Sequence, residues 1–296
     1  MSIENFLQYI ESEKKYSSHT CIAYRADLLQ FKDFVESQSI SFDPGKIDAS
    51  LVREWIVDLM VNAMNTASSV NRKLSSLKSF YRFLKQQGVT TQNPFRKITA
   101  PQKEKLLPKF LKKEEMENLL DKYEGVFTDD LEGIRNKLII EMFYTLGIRL
   151  SELIDIKDTD IDLNGETILI TGKRNKQRLL PFGKKLKIAI LEYLKIRNDA
   201  ITGSITHFFV RKNGQKLYPM FVYRLVNKYI SMVSTLSKRS PHVLRHTFAT
   251  AMLNNGAELN AVKELLGHSS LAATEVYTHT TFEQLQEIYN QAHPRA

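Results

Sequence analysis

The sequence predicts a mainly α-helical protein of two domains: a bundle of four helices, then an α+β domain with one small antiparallel sheet. Three observations carry this expectation. Most of the chain repeats apolar residues at helical spacing, whereas only Glu166 to Thr171 and Gln177 to Pro181 alternate or run apolar as strands do. A polar stretch with a proline near each end, Thr99 to Pro108, interrupts the helical pattern. The length of 296 residues suits two domains, each able to bury its own core.

The N-terminal domain is expected over 1–98. Ile3 to about Lys14 reads as a short amphipathic helix. Ser17 or Ser18 caps a longer one, with Tyr24, Leu28, Phe31 and Val35 on its inner face. After the turn Phe42-Asp43-Pro44-Gly45, Asp48 caps a third helix with Val52, Trp55, Ile56 and Leu59 inside. Thr66 caps a fourth, which buries Val70, Leu74, Leu77, Tyr81 and Leu84, ends at Gly88 and is kept from resuming by Asn93-Pro94.

Residues 99–108 read as a linker, and the second domain spans 109–296. Its helices are expected at about Lys112 to Tyr123 and Asp129 to Leu146, the latter ended by Gly147. A short helix follows, with Ser151 as its cap and Leu153 and Ile156 turned inward. Arg149 sits just before it among apolar residues, so it needs a partner: either Glu152 in an ion pair or a phosphate. The two strands form a hairpin with the basic tip Lys173-Arg174-Asn175-Lys176, either solvated or directed at a ligand. Helices are then expected at about Lys184 to Asn198, Tyr218 to Leu236, from Pro241 to Asn254, Glu258 to Leu266, and past Phe282.

The formal charge of +9 points to a polyanionic partner, and its distribution sharpens the point. No acidic residue lies between Asp58 and Glu104, while Arg72, Lys73, Lys78, Arg82 and Lys85 crowd the fourth helix, interleaved with Asn71, Ser75, Ser76 and Ser79. That face suits a sugar-phosphate backbone. No apolar run is long enough to span a bilayer and the first residues lack an export pattern, so a cytoplasmic location is expected. Cys21 is the sole cysteine, which excludes an internal disulfide and a cysteine-based zinc site.

The chemistry concentrates near the C-terminus. In a helix starting at Pro241, the positions His242, Arg245 and His246 share a face, while Leu244, Phe248 and Met252 turn to the core. A guanidinium grips two phosphate oxygens and an imidazole donates or moves a proton, so the pair suits a phosphodiester. His242 and His246 also have the spacing of a two-histidine metal face, but Val243 stands where zinc proteases have glutamate, and no metal is expected.

Several words of this sequence resemble the tyrosine site-specific recombinases of the phage-integrase family, and within them the Xer type. They are Leu146-Gly147-Ile148-Arg149-Leu150-Ser151-Glu152, Gly172-Lys173, His242-x-x-Arg245-His246, Leu265-Leu266-Gly267-His268-Ser269-Ser270 and Tyr277-Thr278-His279, in the family's order and spacing. The resemblance implies a SAM-like core-binding domain followed by a catalytic domain that clamp a duplex. It implies a catalytic set of Arg149, Lys173, His242, Arg245, His268 and the nucleophile Tyr277, with Glu152 in support and Lys173 as leaving-group acid. Arg72, Lys73, Lys78, Arg82 and Arg174 are the expected DNA-contacting residues.

Two arginines and two imidazoles can do the charge work that a metal does elsewhere, and no nucleotide-binding loop is present, so no cofactor is expected. The implied partners are double-stranded DNA with a specific recombination site, a homo- or hetero-tetramer joined through the C-terminal helix, a second Xer recombinase and a septal DNA translocase. The implied role is resolution of chromosome dimers at a dif-like site in the nucleoid; a mobile-element integrase, or a relative that binds DNA without cutting it, are the alternatives.

Overall fold

The computed structural model describes residues 2–102, 109–172, 175–267 and 281–296. The chain divides into two compact units, Met1–Leu106 and Leu107–Ala296.

The first unit holds α1 (Ile3–Ser12), α2 (Ser18–Ser37), α3 (Ala49–Val61) and α4 (Ala67–Gln86), with a 3-10 turn at Pro94–Lys97. Short polar side chains start each helix: Ser2, Ser17, Asp48 and Thr66 accept backbone N–H groups of the first turn. Phe6, Phe31, Trp55, Leu74, Phe80, Tyr81 and Phe95 meet in a core rich in edge-to-face aromatic pairs. After the 3-10 turn the chain returns to α4, where Asn71 Nδ2 donates to the Pro101 carbonyl at 2.9 Å.

The basic face of α4 does have an acidic counterpart, supplied by α2 rather than by neighbouring sequence. Asp27 is fully buried; Arg72 donates to both its oxygens at 2.5 and 2.8 Å, Lys73 at 3.1 Å and the Ser76 hydroxyl at 3.0 Å. Arg72 and Lys73 therefore help hold α2 against α4, while half of the Arg72 side chain stays exposed. Lys78 and Arg82 differ, having no acidic partner among the described residues.

The second unit is built around α6 (Leu131–Leu146), buried on nearly every side from Leu138 onward. Before it, α5 (Lys113–Glu117) runs on as a π-helical turn, Asn118–Lys122. After it come α7 (Leu150–Asp155) and a three-stranded antiparallel sheet of β1 (Ile161–Asp162), β2 (Thr167–Thr171) and β3 (Gln177–Pro181) in that order. The hairpin register runs from Thr167 opposite Pro181 to Thr171 opposite Gln177. Its first strand, β1, is too short to register in the sequence pattern. Helices α8 (Lys184–Ala200), α9 (Pro219–Val233), α10 (Pro241–Asn254), α11 (Leu259–Leu266) and α12 (Phe282–Ala292) complete the unit. Ser151 is not the cap of α7; Arg149 holds that position, and the Glu152 carboxylate accepts its N–H.

In the single chain, α12 buries Leu285, Tyr289 and Ala292 in the core of its own unit. The residues after it explain why. Arg295 is 7% exposed and donates to Glu141 at 2.7 and 3.0 Å and to Asp121 at 2.7 Å. The His293 ring stacks on Tyr289, donates through Nε2 to the Tyr144 carbonyl and accepts the Arg295 N–H at Nδ1. Among the described residues, no helix is long and apolar enough to cross a membrane.

Two outcomes follow for stability. Asp27→Ala strips the buried anion from three donors and should lower the urea-unfolding free energy of the first unit by about 2 kcal/mol; an unchanged midpoint would contradict the role given to Asp27. Burial holds the His293 pKa down to about 4 against an ordinary value of 6.5, so the unfolded chain binds the extra proton first. Stability from this site is then complete above about pH 6.5 and lost as pH falls toward 4. Urea midpoints at neutral and mildly acid pH should converge when His293 is replaced by Asn.

Candidate active site

Three arginines gather at the last turn of α11. The Leu265 carbonyl accepts Arg178 Nε at 2.9 Å, the Leu266 carbonyl accepts Arg245 Nη2 at 2.6 Å, and the Gly267 carbonyl accepts Arg149 Nη2 at 3.3 Å. A helix leaves its final carbonyls without internal partners and carries partial negative charge there, so it attracts cations. Gly267, at φ +66°, turns the chain out of α11 and keeps these carbonyls open.

Arg245 comes from α10 and is 7% exposed, while His242 and His246 on either side of it are exposed. Its other arm, Nη1, donates to the Gly147 carbonyl at 2.6 Å, so one guanidinium bridges the C-terminal ends of α6 and α11. Gly147 has φ +59°, and a Cβ there would stand 2.4 Å from Phe248 Cδ1, so only glycine brings this carbonyl so near to α10.

Arg149 is less buried than the sequence suggests, with 38% of its side chain exposed. It has the acidic partner considered for it: Nη1 donates to Glu152 Oε1 at 2.8 Å while its backbone N–H donates to Oε2 at 2.8 Å. Glu152 is shared. Arg178, on β3, donates to both carboxylate oxygens at 3.0 and 2.8 Å. Burial by itself would raise the Glu152 pKa, but bonds and charge from Arg178, with those from Arg149, override it and hold the value at about 2.

Among the described residues, Arg149, Arg178 and Arg245 face one carboxylate, and burial, reinforced by the Arg149 charge, lowers the Arg245 pKa to about 10. Arg245 stays protonated at neutral pH but in an environment that favours an added anion. Desolvation, then His246, Arg245, Lys238 and Arg149, push the His242 pKa below 6.5, so His242 is a neutral imidazole at neutral pH. A cleft lined by Ile148, Arg149, Tyr223, Ser240, His242 and Arg245 gives solvent access to these groups. Among the described residues no cluster of His, Cys, Asp and Glu is arranged to hold a metal ion.

Of the residues expected at the site, the structure brings together Arg149, Glu152, His242 and Arg245. Lys173, Arg174, His268 and Tyr277 lie outside the described residues. Their described neighbours converge: Gly267 precedes His268 in the chain, and Gly172 precedes Lys173, with its Cβ position 3.4 Å from Glu152 Oε1.

Comparison with known proteins gives the family. Residues 109–284 match the Phage integrase family and residues 3–88 match the Phage integrase N-terminal SAM-like domain. The chain belongs to the phage integrase family. It is a tyrosine recombinase of the Xer type, an enzyme of DNA strand exchange. A tyrosine recombinase XerC from Chlorobaculum parvum is 37% identical over 99% of this chain and 94% of that protein. A tyrosine recombinase XerC from Listeria innocua is 40% identical over 99% of this chain and 97% of its own length. The fold also matches a crystal structure of XerH site-specific recombinase bound to difH substrate, with a TM-score of 0.71 and 24% identity over 97% of this chain and 84% of that one.

Arg178 is the residue of the recombinase site that the sequence reading overlooks. Its signal is the strand period: Arg178 and Leu180 share a face of β3, and Leu180 is buried. An arginine on the inward face of a strand implies a buried acid opposite.

In the DNA-free recombinase, the His242 ring should titrate with a midpoint below 6.5, read from its NMR signals across a pH series and assigned by comparison with His242→Gln. A midpoint at or above 6.5 would contradict the electrostatic description.

Proposed function

We propose that Tyr277 is the nucleophile and that Arg149, Arg245 and His242 bind the scissile phosphate of double-stranded DNA. The observation that carries this is the placement of Arg149 and Arg245 on helix-end carbonyls beside a neutral His242, with one carboxylate for three guanidiniums among the described residues. Such a site holds its donors ready for an anion. Donors that are fixed before the reaction spend nothing on reorganisation when charge builds on the non-bridging oxygens.

In the reaction the Tyr277 phenolic oxygen forms a bond to phosphorus as the bond to the 5′ oxygen breaks. The phenolic proton leaves to a base and the departing 5′ oxygen takes up a proton from Lys173, its assigned acid. His268 adds a further donor to the phosphate. The product is a 3′-phosphotyrosyl enzyme and a free 5′ hydroxyl. Because the phosphoester is retained, a second strand's hydroxyl can reverse the step and rejoin DNA without a nucleotide. Glu152 acts on Arg149 and does not reach the DNA. Arg72, Lys73, Lys78 and Arg82 on α4, with Arg174, are assigned to DNA outside the reacting phosphate; Arg72 keeps half of its side chain exposed beside Asp27.

The near full-length XerC relatives support the cellular role: resolution of chromosome dimers at a dif-like site in nucleoid DNA, by four protomers bound to two sites. A second Xer recombinase in that tetramer and a septal DNA translocase that activates it follow from the family resemblance.

The test is a nicked dif-like duplex that traps the covalent step, resolved on a denaturing gel. The wild type should yield a protein–DNA adduct and Tyr277→Phe none, with duplex affinity unchanged. An adduct in Tyr277→Phe removes Tyr277 from the role.

A further inference from the structure

Arg178 uses one guanidinium to join three segments. Its Nη1 and Nη2 clasp Glu152 at 3.0 and 2.8 Å, and its Nε holds the Leu265 carbonyl at 2.9 Å. The Gly267 backbone lies against the same group, since a Cβ at Gly267 would stand 3.1 Å from Arg178 Nη1 and 3.2 Å from Cδ. The side chain is 14% exposed, against 38% for Arg149, so it faces inward while Arg149 keeps an open side. The segments it joins are the hairpin on which Lys173 sits in sequence, the start of α7 with Arg149, and the end of α11 that precedes His268.

Charge gives this tie a purpose beyond packing. Glu152 is 2% exposed and ionised, so it demands a cation. With both arginines present, the Arg149–Glu152–Arg178 group carries one net positive charge, available on the exposed side of Arg149. Without Arg178 the group is neutral, and Arg149 becomes the sole counter-ion of a buried carboxylate. The stronger pull draws its guanidinium onto Glu152 and away from an incoming anion.

We propose that Arg178 is a positioning residue for strand cleavage: by neutralising Glu152 from behind, it leaves the Arg149 charge free for the scissile phosphate and holds β3, α7 and α11 in one frame. The proposal rests on Arg149 being a phosphate ligand, as assigned above. It makes a prediction that ordinary structural support does not. If the harm in losing Arg178 is a carboxylate that captures Arg149, removing that carboxylate should undo part of the harm. Gln at position 152 still accepts the Arg149 N–H as a helix cap, so the double change leaves α7 capped.

The experiment measures single-turnover cleavage of the nicked duplex, duplex affinity by gel shift, and melting temperature, for the full chain. Arg178→Gln should cleave about 100-fold more slowly, the loss typical of a slightly misplaced reacting group, with duplex affinity nearly unchanged. The double variant Arg178→Gln, Glu152→Gln should recover about tenfold of that loss, the coupling expected of groups in one ion-pair network. Should Arg178→Gln not melt cooperatively, Arg178→Lys serves, since lysine keeps the charge but cannot clasp Glu152 and reach Leu265 together; it should cleave about tenfold more slowly. A single variant as fast as wild type, or a double variant no faster than Arg178→Gln, overturns the proposal while the Tyr277 assignment stands. A wild type that forms no adduct overturns that assignment and this proposal together.

Discussion

The site depends on where α11 stops. Its last three carbonyls, from Leu265, Leu266 and Gly267, each take a guanidinium from a different element: β3, α10 and the start of α7. Arginine side chains are long and entropically expensive to hold, so an exposed cluster of them would scatter. Helix-end carbonyls with no intrahelical partner remove that freedom and compensate part of the desolvation. Gly267 and Gly147 permit the arrangement, because both end their helices in a left-handed turn and both sit against a neighbour that a Cβ would displace.

The same bonds leave an electrostatic deficit. Among the described residues, one carboxylate, Glu152, serves Arg149 and Arg178 together, and Arg245 has only backbone oxygens. Burial first, and then neighbouring positive charge, lowers the pKa of Arg245 and His242. An anion such as a phosphodiester would relieve this. In the first unit Asp27 has Arg72, Lys73 and Ser76 around it, a satisfied buried group that holds helices together.

Local signals were legible wherever the physics is local. Ser17, Asp48 and Thr66 cap the helices expected of them, Gly88, Gly147 and Gly267 end theirs, and the hairpin from Thr167 to Pro181 keeps the alternation it shows in sequence. Partners that come from far along the chain leave no such local signal. The α4 bases appeared unpaired because Asp27 lies 45 residues from Arg72. The α12 face appeared spare because its anchors, Glu141, Asp121 and Tyr144, belong to the start of the second unit. Arg178 went unnoticed because a strand arginine has no meaning until the acid opposite is known.

By itself, then, the amino-acid order determined the helices, the hairpin, the basic character of the chain and the motif words of its family, because caps, periodicity and short spacings act within a few residues. Tertiary structure alone decided which bases pair with acids, how Arg149, Arg178 and Arg245 meet at one helix end, and how α12 packs on its own unit. The reason is that a charge takes its role from its nearest opposite charge, and folding, not sequence proximity, chooses that neighbour.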